Sequence, residues 1–372
     1  MRCGLIDHSG SWVLTPEFSG LAWHPGPVEA TKRGKERVIL DLTQPKVAVN
    51  TLSHRGMLTN WDRGVAGFTD GRGPFRLIGA DGQFRGNKRF DELKFERSIV
   101  EPPFERSKRL KIKEFSAEDD RIPACQNGQC GYVDLSGIWA IEPVFSEVQP
   151  FAERRACVAS GSSWSLINPE GNVVIDRLAA CHGPPHESVI WVQRNPTGTE
   201  RGGEPLGGWE LLDLDGNSMI RLNDRLSRAH PFIEGRAVVQ PTGRDPTYMR
   251  RDGTLLEIPV GVECFWSHSE GLALFLANGK TSAGFMDLEG DVVIEPRFNV
   301  PDRRLAERMH AAEGKAALME GDLWGYLDIK SKKWAIEPKF ELAGPFRSNT
   351  AVVTLAGRTF HIDHHGREIK PR

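Results

Sequence analysis

Trp324-Gly325-Tyr326-Leu327-Asp328, followed by Ala335-Ile336-Glu337-Pro338-Lys339-Phe340, recurs in roughly seven or eight imperfect copies along the 372-residue chain, and a recurrence of this kind must be settled before anything else. Gly131-Tyr132-Val133-Asp134-Leu135-Ser136-Gly137 leads into Ile141-Glu142-Pro143-Val144-Phe145, and Gly284-Phe285-Met286-Asp287-Leu288-Glu289-Gly290 leads into Ile294-Glu295-Pro296-Arg297-Phe298. The chain opens with Cys3-Gly4-Leu5-Ile6-Asp7 and ends within Phe360-His361-Ile362-Asp363-His364-His365-Gly366. Weaker copies begin at Trp164, Trp209 and Tyr248, and glycines 137, 171, 216, 253 and 290 lie 34, 45, 37 and 37 residues apart.

Each copy reads as a β-hairpin. The apolar run before the Asp is short and rich in β-branched and aromatic residues, which suits a strand. Asp or Asn at the turn accepts from the backbone two residues on, and Gly supplies the positive φ that closes it. The second strand should stop at Pro143, Pro296 or Pro338, because proline cannot donate to a ladder. A third strand then follows a loop, as in Phe232-Ile233-Glu234-Gly235-Arg236-Ala237-Val238-Val239, with relatives at Glu270–Leu274 and Asn349–Val353. The expected unit is a three-stranded antiparallel meander of about 35–45 residues.

These residues resemble the WG-repeat (KWG-repeat) family of bacterial proteins. The resemblance covers residues 130–372 well and 1–20 clearly, whereas 21–129 match poorly, with Leu77-Ile78-Gly79-Ala80-Asp81-Gly82 as the best internal copy. It implies a tandem β-repeat scaffold that works as a binding or interaction module. Cys3, Cys130 and Ala283 stand where Trp324 stands, which favours the tryptophan as packing rather than as a shared ligand platform.

A single array over 1–372 is expected, with degenerate repeats and charged insertions in 1–129 and regular repeats in 130–372, since each meander alone buries too little apolar surface. Because both chain ends carry the same hairpin, an open or partly closed β-superhelix is expected, with a closed β-propeller as the alternative. Residues 21–76 read as irregular, apart from a degenerate strand pair at Arg37–Asp41 and Val47–Val49. A short helix is expected over 302–310.

A formal net charge of −2 gives no pull toward nucleic acid or anionic membrane. No run of about 18 apolar residues exists, so membrane insertion is not expected. The N-terminus lacks the apolar stretch of a signal peptide, and six scattered cysteines fit a reducing cytosol, so a cytoplasmic location is expected.

No catalytic, cofactor or metal constellation rises above the repeat, and the weak candidates have plain structural readings. Cys125 and Cys130 have metal-like spacing without a second pair; they flank an Asn-Gly turn and should face each other across a hairpin, with a redox cross-link next and zinc last. Asp213-Leu214-Asp215-Gly216-Asn217 begins like a calcium loop but lacks downstream ligands. His361, His364, His365, His182 and His186 have no partnered nucleophile at a telling spacing, and read as surface polar residues. The glycines of 202–208 lack the Lys-Ser/Thr of a phosphate loop, and the basic run 106–113 is followed directly by acidic residues, as on a solvated face.

Glu142, Glu295 and Glu337 recur before proline and would form an acidic stripe for a basic partner. Trp191 and Trp266 are the aromatic candidates for an interface, set against burial at third-strand positions. The function expected is a non-catalytic scaffold that binds another protein. The alternatives are a hydrolase on a propeller-like scaffold, and an envelope or secreted binding protein whose leader is missing.

Overall fold

The computed structural model describes residues 3–6, 12–22, 28–32, 37–41, 48–52, 57–70, 74–93, 104–105, 120–194, 208–222, 226–266, 268–300, 306 and 308–369. The chain forms two compact units. One comprises Met1–Leu5, Val13–Ile99 and Lys113–Arg225; the other comprises Ile6–Trp12, Val100–Ile112 and Leu226–Arg372.

Among the described residues the strands make eight sheets, and the strand pairs resolved within them are antiparallel. In the first unit, strands Met57–Asp62, Val65–Thr69, Phe75–Gly79 and Phe84–Phe90 form a meander in chain order. Glu92–Leu93, Ile122–Gln126, Gln129–Val133 and Trp139–Phe145 form the next, and a seven-stranded sheet runs from Glu147–Val148 to Ser218–Arg221. In the second unit, Ala311–Ala312, Lys315–Glu320, Leu323–Asp328 and Lys333–Phe340 repeat the same order, as do Cys264–Phe265, Leu272–Ala277, Ser282–Asp287 and Val292–Asn299, to which Phe104–Glu105 adds a fifth strand beside Cys264–Phe265. Four strands in sequential order is the form of a propeller blade.

The meander is as expected, but its phase is one strand earlier. The strand expected to follow each Trp-Gly hairpin belongs to the next sheet, where it precedes the next hairpin. Ala351–Leu355 pairs with Arg358–Ile362 and with the short strand Leu342–Ala343, while Lys333–Phe340 ends the sheet before it. The cause is turn length. Gly321 and Asp322 alone separate Lys315–Glu320 from Leu323–Asp328, and so tight a hairpin forms ahead of any pairing across a longer loop.

The second strand does not stop at proline either. It runs through Pro143 to Phe145, through Pro296 to Asn299 and through Pro338 to Phe340. The register shows why. Cys130 faces Phe145 and Tyr132 faces Ile141; Trp324 faces Phe340 and Tyr326 faces Ile336. The single residue between these pairs on one strand, Gly131 or Gly325, therefore opposes three on the other, and the Glu-Pro pair sits in a bulge, where a missing N–H costs nothing. The bulged backbone lies over the glycine of Trp-Gly. A Cβ on Gly131, Gly284 or Gly325 would come within 2.4, 2.6 and 2.7 Å of the carbonyl oxygens of Ile141, Ile294 and Ile336. Gly and Glu-Pro are thus two halves of one packing device.

The two central strands are buried on both faces: Ala316–Met319 and Trp324–Leu327 are continuous buried runs, while Lys333–Phe340 alternates. A sheet buried on both faces needs a neighbour on each side, so no meander stands alone. Trp324, Tyr326, Phe340 and Phe346 share one core with Trp266, Phe285 and Ile362. All three tyrosines of the chain reach forward to the following segment: Tyr132 donates its hydroxyl to the Gln149 carbonyl at 2.7 Å, Tyr326 to Gly344 at 2.8 Å, and Tyr248 to Trp266.

The strand pair expected at Arg37–Asp41 and Val47–Val49 is present, as Arg37–Asp41 paired with Ala48–Thr51, and Val28–Lys32 adds a strand that the reading of this stretch as irregular did not include. The alternation of Val28–Lys32 is too short to stand out in the sequence, whereas the apolar run Val38, Ile39 and Leu40 is fully buried. Of the expected helix over 302–310, Ala306 is helical and fully buried, and residues 302–305 and 307 lie outside the described residues. The basic run 106–113 and glycines 202, 203 and 207 also lie outside them.

Candidate interaction surface

Glu142, Glu295 and Glu337 occupy the same place in three sheets: exposed, in the bulge of a strand that ends its sheet. They are not a purely acidic row. Arg297 and Lys339 stand two residues after Glu295 and Glu337, each over the following ring, Arg297 at 5.0 Å from the Phe298 centroid and Lys339 at 5.1 Å from that of Phe340. In the first unit Val144 follows Glu142 and is 59% exposed. The aromatic candidates do not join this surface. Trp191 and Trp266 are 2% and 1% exposed, so they are core side chains, and burial removes them as anchors for a partner.

The repeat's turn acids are committed locally. Asp213 Oδ1 accepts from the Asp215 and Asn217 amides at 3.0 and 2.8 Å, and the Asn217 side chain donates to Oδ2. The Asn217 hydrogen bonds hold the Asp213 carboxyl below its ordinary range. Asp134, Asp287 and Asp363 make the same pair of amide contacts, so the calcium-like stretch is the repeat's turn. Among the described residues no three His, Cys, Asp or Glu side chains are grouped to hold a metal ion.

A second set of acids was missed in the sequence. Glu153, Glu234, Glu270 and Glu313 open two-residue turns with positive φ, from 48° to 55°. Each carboxylate reaches the equivalent turn of the following repeat: Glu153 accepts from the Ser188 amide, Glu234 from Glu270 and Gly271, Glu270 from Gly314, and Glu313 from Asn349. Beside them Arg155 donates to the Leu214 carbonyl at 2.7 Å, and Arg236 to Leu288 at 2.7 Å and to Glu289 at 2.7 Å. Glu289 also accepts from Arg250, and these guanidinium contacts hold its carboxyl low. The signal was present in the recurrence of Glu before Gly at 234 and 270, read there only as part of a strand, and again at 313.

The cysteines and histidines are placed as follows. Cys125 and Cys130 are cross-strand partners in their hairpin and are joined in a disulfide, as are Cys157 and Cys181. Four of six cysteines are therefore paired, against the expectation of free thiols. The second pair joins two strands that flank a third, a juxtaposition only the folded sheet reveals. The C-terminal histidines do not converge: His361 is exposed, His365 is in the turn, and His364 stacks on Phe346 at 4.2 Å with Nε2 3.1 Å from Glu313. His182 stacks on Trp209 at 3.6 Å, and burial lowers it to about 4.

Comparison with known proteins agrees with the repeat. The family model described as WG containing repeat matches residues 131–159 and 324–358. No curated protein matches the chain. Solved structures with some similarity include BamB from Moraxella catarrhalis, at 10% identity over 93% of this chain and 91% of that one with a TM-score of 0.37. Streptogramin B lyase is similar at 13% identity over 72% and 96%, with a TM-score of 0.33. The WD40 β-propeller domain of Doa1 is similar at 10% identity over 75% and 94%, with a TM-score of 0.27.

Proposed function

We propose that this chain is a non-catalytic β-repeat scaffold whose Glu-Pro edge strands dock another protein. The observation that carries the reading is the equivalent, exposed placement of Glu142, Glu295 and Glu337 on strands that end their sheets. A sheet edge offers backbone groups to an added strand, and side chains along it set specificity. Arg297 and Lys339 make the fitting partner one of alternating charge, with basic groups opposite the glutamates. The three four-stranded meanders among the described residues support the closed β-propeller over the open superhelix.

Affinity capture from the native host tests this. A protein that co-elutes with the wild type and is lost from the Glu295→Lys/Glu337→Lys variant supports the reading, and Glu142→Lys tests the first unit separately. Unchanged capture by all variants contradicts it. Absence of any co-eluting protein together with turnover in a broad substrate screen favours the hydrolase alternative.

On location, the two disulfides favour the envelope or secreted reading over the cytoplasmic one, because such bonds persist in oxidising compartments. Trapping of free thiols in intact cells distinguishes the two.

A further inference from the structure

A cleft of about 230 Å3 opens on the sheet of residues 57–90. Its walls include Phe68, Thr69, Asp70, Arg76, Phe84 and Arg89. Phe68 and Phe84 meet edge to face, with centroids 5.5 Å apart; Phe68 is buried, so the half-buried Phe84 and exposed Pro74 supply the cleft's apolar wall. The Arg76 guanidinium carbon lies 3.6 Å above the Phe84 ring. Stacking of this kind uses the face of the guanidinium and leaves its in-plane N–H groups free to bind a planar anion through two parallel hydrogen bonds. Half burial and the ring beneath also limit its rotamers, so little freedom is lost on binding.

Arg89 supplies a second cation at the wall. Among the described residues neither Arg76 nor Arg89 has an ion pair with a carboxylate, in contrast to Arg155, Arg194, Arg221, Arg236 and Arg250. Asp70 is exposed at the rim and opposes a highly charged anion such as a free phosphate, but a single carboxylate set against Arg76 tolerates it.

We propose that this cleft binds a carboxylate attached to an apolar, preferably aromatic, group: the carboxylate on Arg76 with support from Arg89, the apolar group against Phe84 and Pro74. The same chemistry is offered by a free aryl-alkanoic acid and by the C-terminal residue of a peptide. The proposal is independent of the edge-strand reading, since it uses different residues and a different test.

Calorimetric titration of the full chain with 3-phenylpropanoate, and with a short peptide ending in a free phenylalanine carboxylate, tests it, with the amide of each as control. Saturable binding of the acids is expected, with affinity at least about tenfold weaker for the amides and for Arg76→Gln. Arg89→Gln, at an exposed position, should weaken binding by a smaller factor and serves as the variant least able to disturb folding; circular dichroism checks both. Binding of the peptide more than about tenfold tighter than the small acid assigns the site to a chain terminus, and equal binding assigns it to the small acid. No saturation by either acid at concentrations on the order of 10 mM, or equal binding by acid and amide, overturns the proposal.

Discussion

The Glu234 carboxylate accepts hydrogen bonds from the backbone amides of both Glu270 and Gly271, each at 2.8 Å, and so ties one turn to the next repeat's equivalent turn. Glu234 holds φ at 53°, a conformation that costs an ordinary L-residue roughly 1–2 kcal/mol. A residue held there is expected to earn its place through its side chain, and bonding the next repeat is what this side chain does.

Glu234→Ala keeps the backbone cost and removes the tie, so it should destabilise the second unit by about 1–2 kcal/mol, two charge-assisted bonds weakened by solvent exposure. Glu234→Gln keeps one acceptor oxygen and should lose less. Urea denaturation midpoints check the order; an alanine variant as stable as wild type would show the tie to be idle.

Gly325 tests the bulge. Its added Cβ would stand 2.7 Å from the Ile336 carbonyl oxygen and 2.8 Å from the Pro338 nitrogen, and neither is a flexible side-chain end. Gly325→Ala should therefore cost about 1–3 kcal/mol, as overpacking does. At Gly321 no atom lies within 4 Å of the added Cβ, so any cost of Gly321→Ala comes from its positive φ alone. Thermal unfolding of the two variants separates close approach from conformation.

Much of this device was legible. The Asp turns, the burial of Trp324 and the facing of Cys125 and Cys130 all follow from local pattern, because their partners lie within a few residues. The phase of the meander was also within reach: Asn127-Gly128 links Ile122–Gln126 to the Gly131 strand, and extending that hairpin to the other copies gives the observed order. The Glu-Pro bulge was not legible, because a proline that stops a ladder and one that bulges it leave the same local signal. Nor were the Glu234 tie, the Cys157–Cys181 pair or the Arg76 cleft, which depend on segments brought together by register across sheets.

The disulfides predict that four of six cysteines resist alkylation in the unreduced protein. Cys157 and Cys181 close a loop of 24 residues in sequence separation, and opening it should lower stability by roughly 3 kcal/mol on chain-entropy grounds. Mass spectrometry after alkylation, and denaturation with and without reductant, check both. Six reactive thiols in protein isolated without reductant would contradict the pairing.

Acid should destabilise the second unit before most carboxylates titrate. His230 is 4% exposed, and burial lowers it to about 4 from an ordinary 6.5. The unfolded chain therefore takes up this proton first as pH falls. The stability this imidazole supports is fully present above pH 6.5 and is lost towards pH 4, to a total of about 3 kcal/mol. His230→Gln should flatten the stability profile across that window, measured by denaturation at several pH values.

The proposed docking edge, the ties between turns and the bulge all depend on each Trp-Gly strand being preceded, not followed, by its central partner. Paired cysteines measure this directly. Lys315 and Asp328 are Cα partners, so Lys315→Cys with Asp328→Cys should cross-link under mild oxidation without loss of the β spectrum. Failure of that pair to cross-link, together with efficient cross-linking of Glu337→Cys to Val352→Cys, would place the third strand after the hairpin and contradict the account.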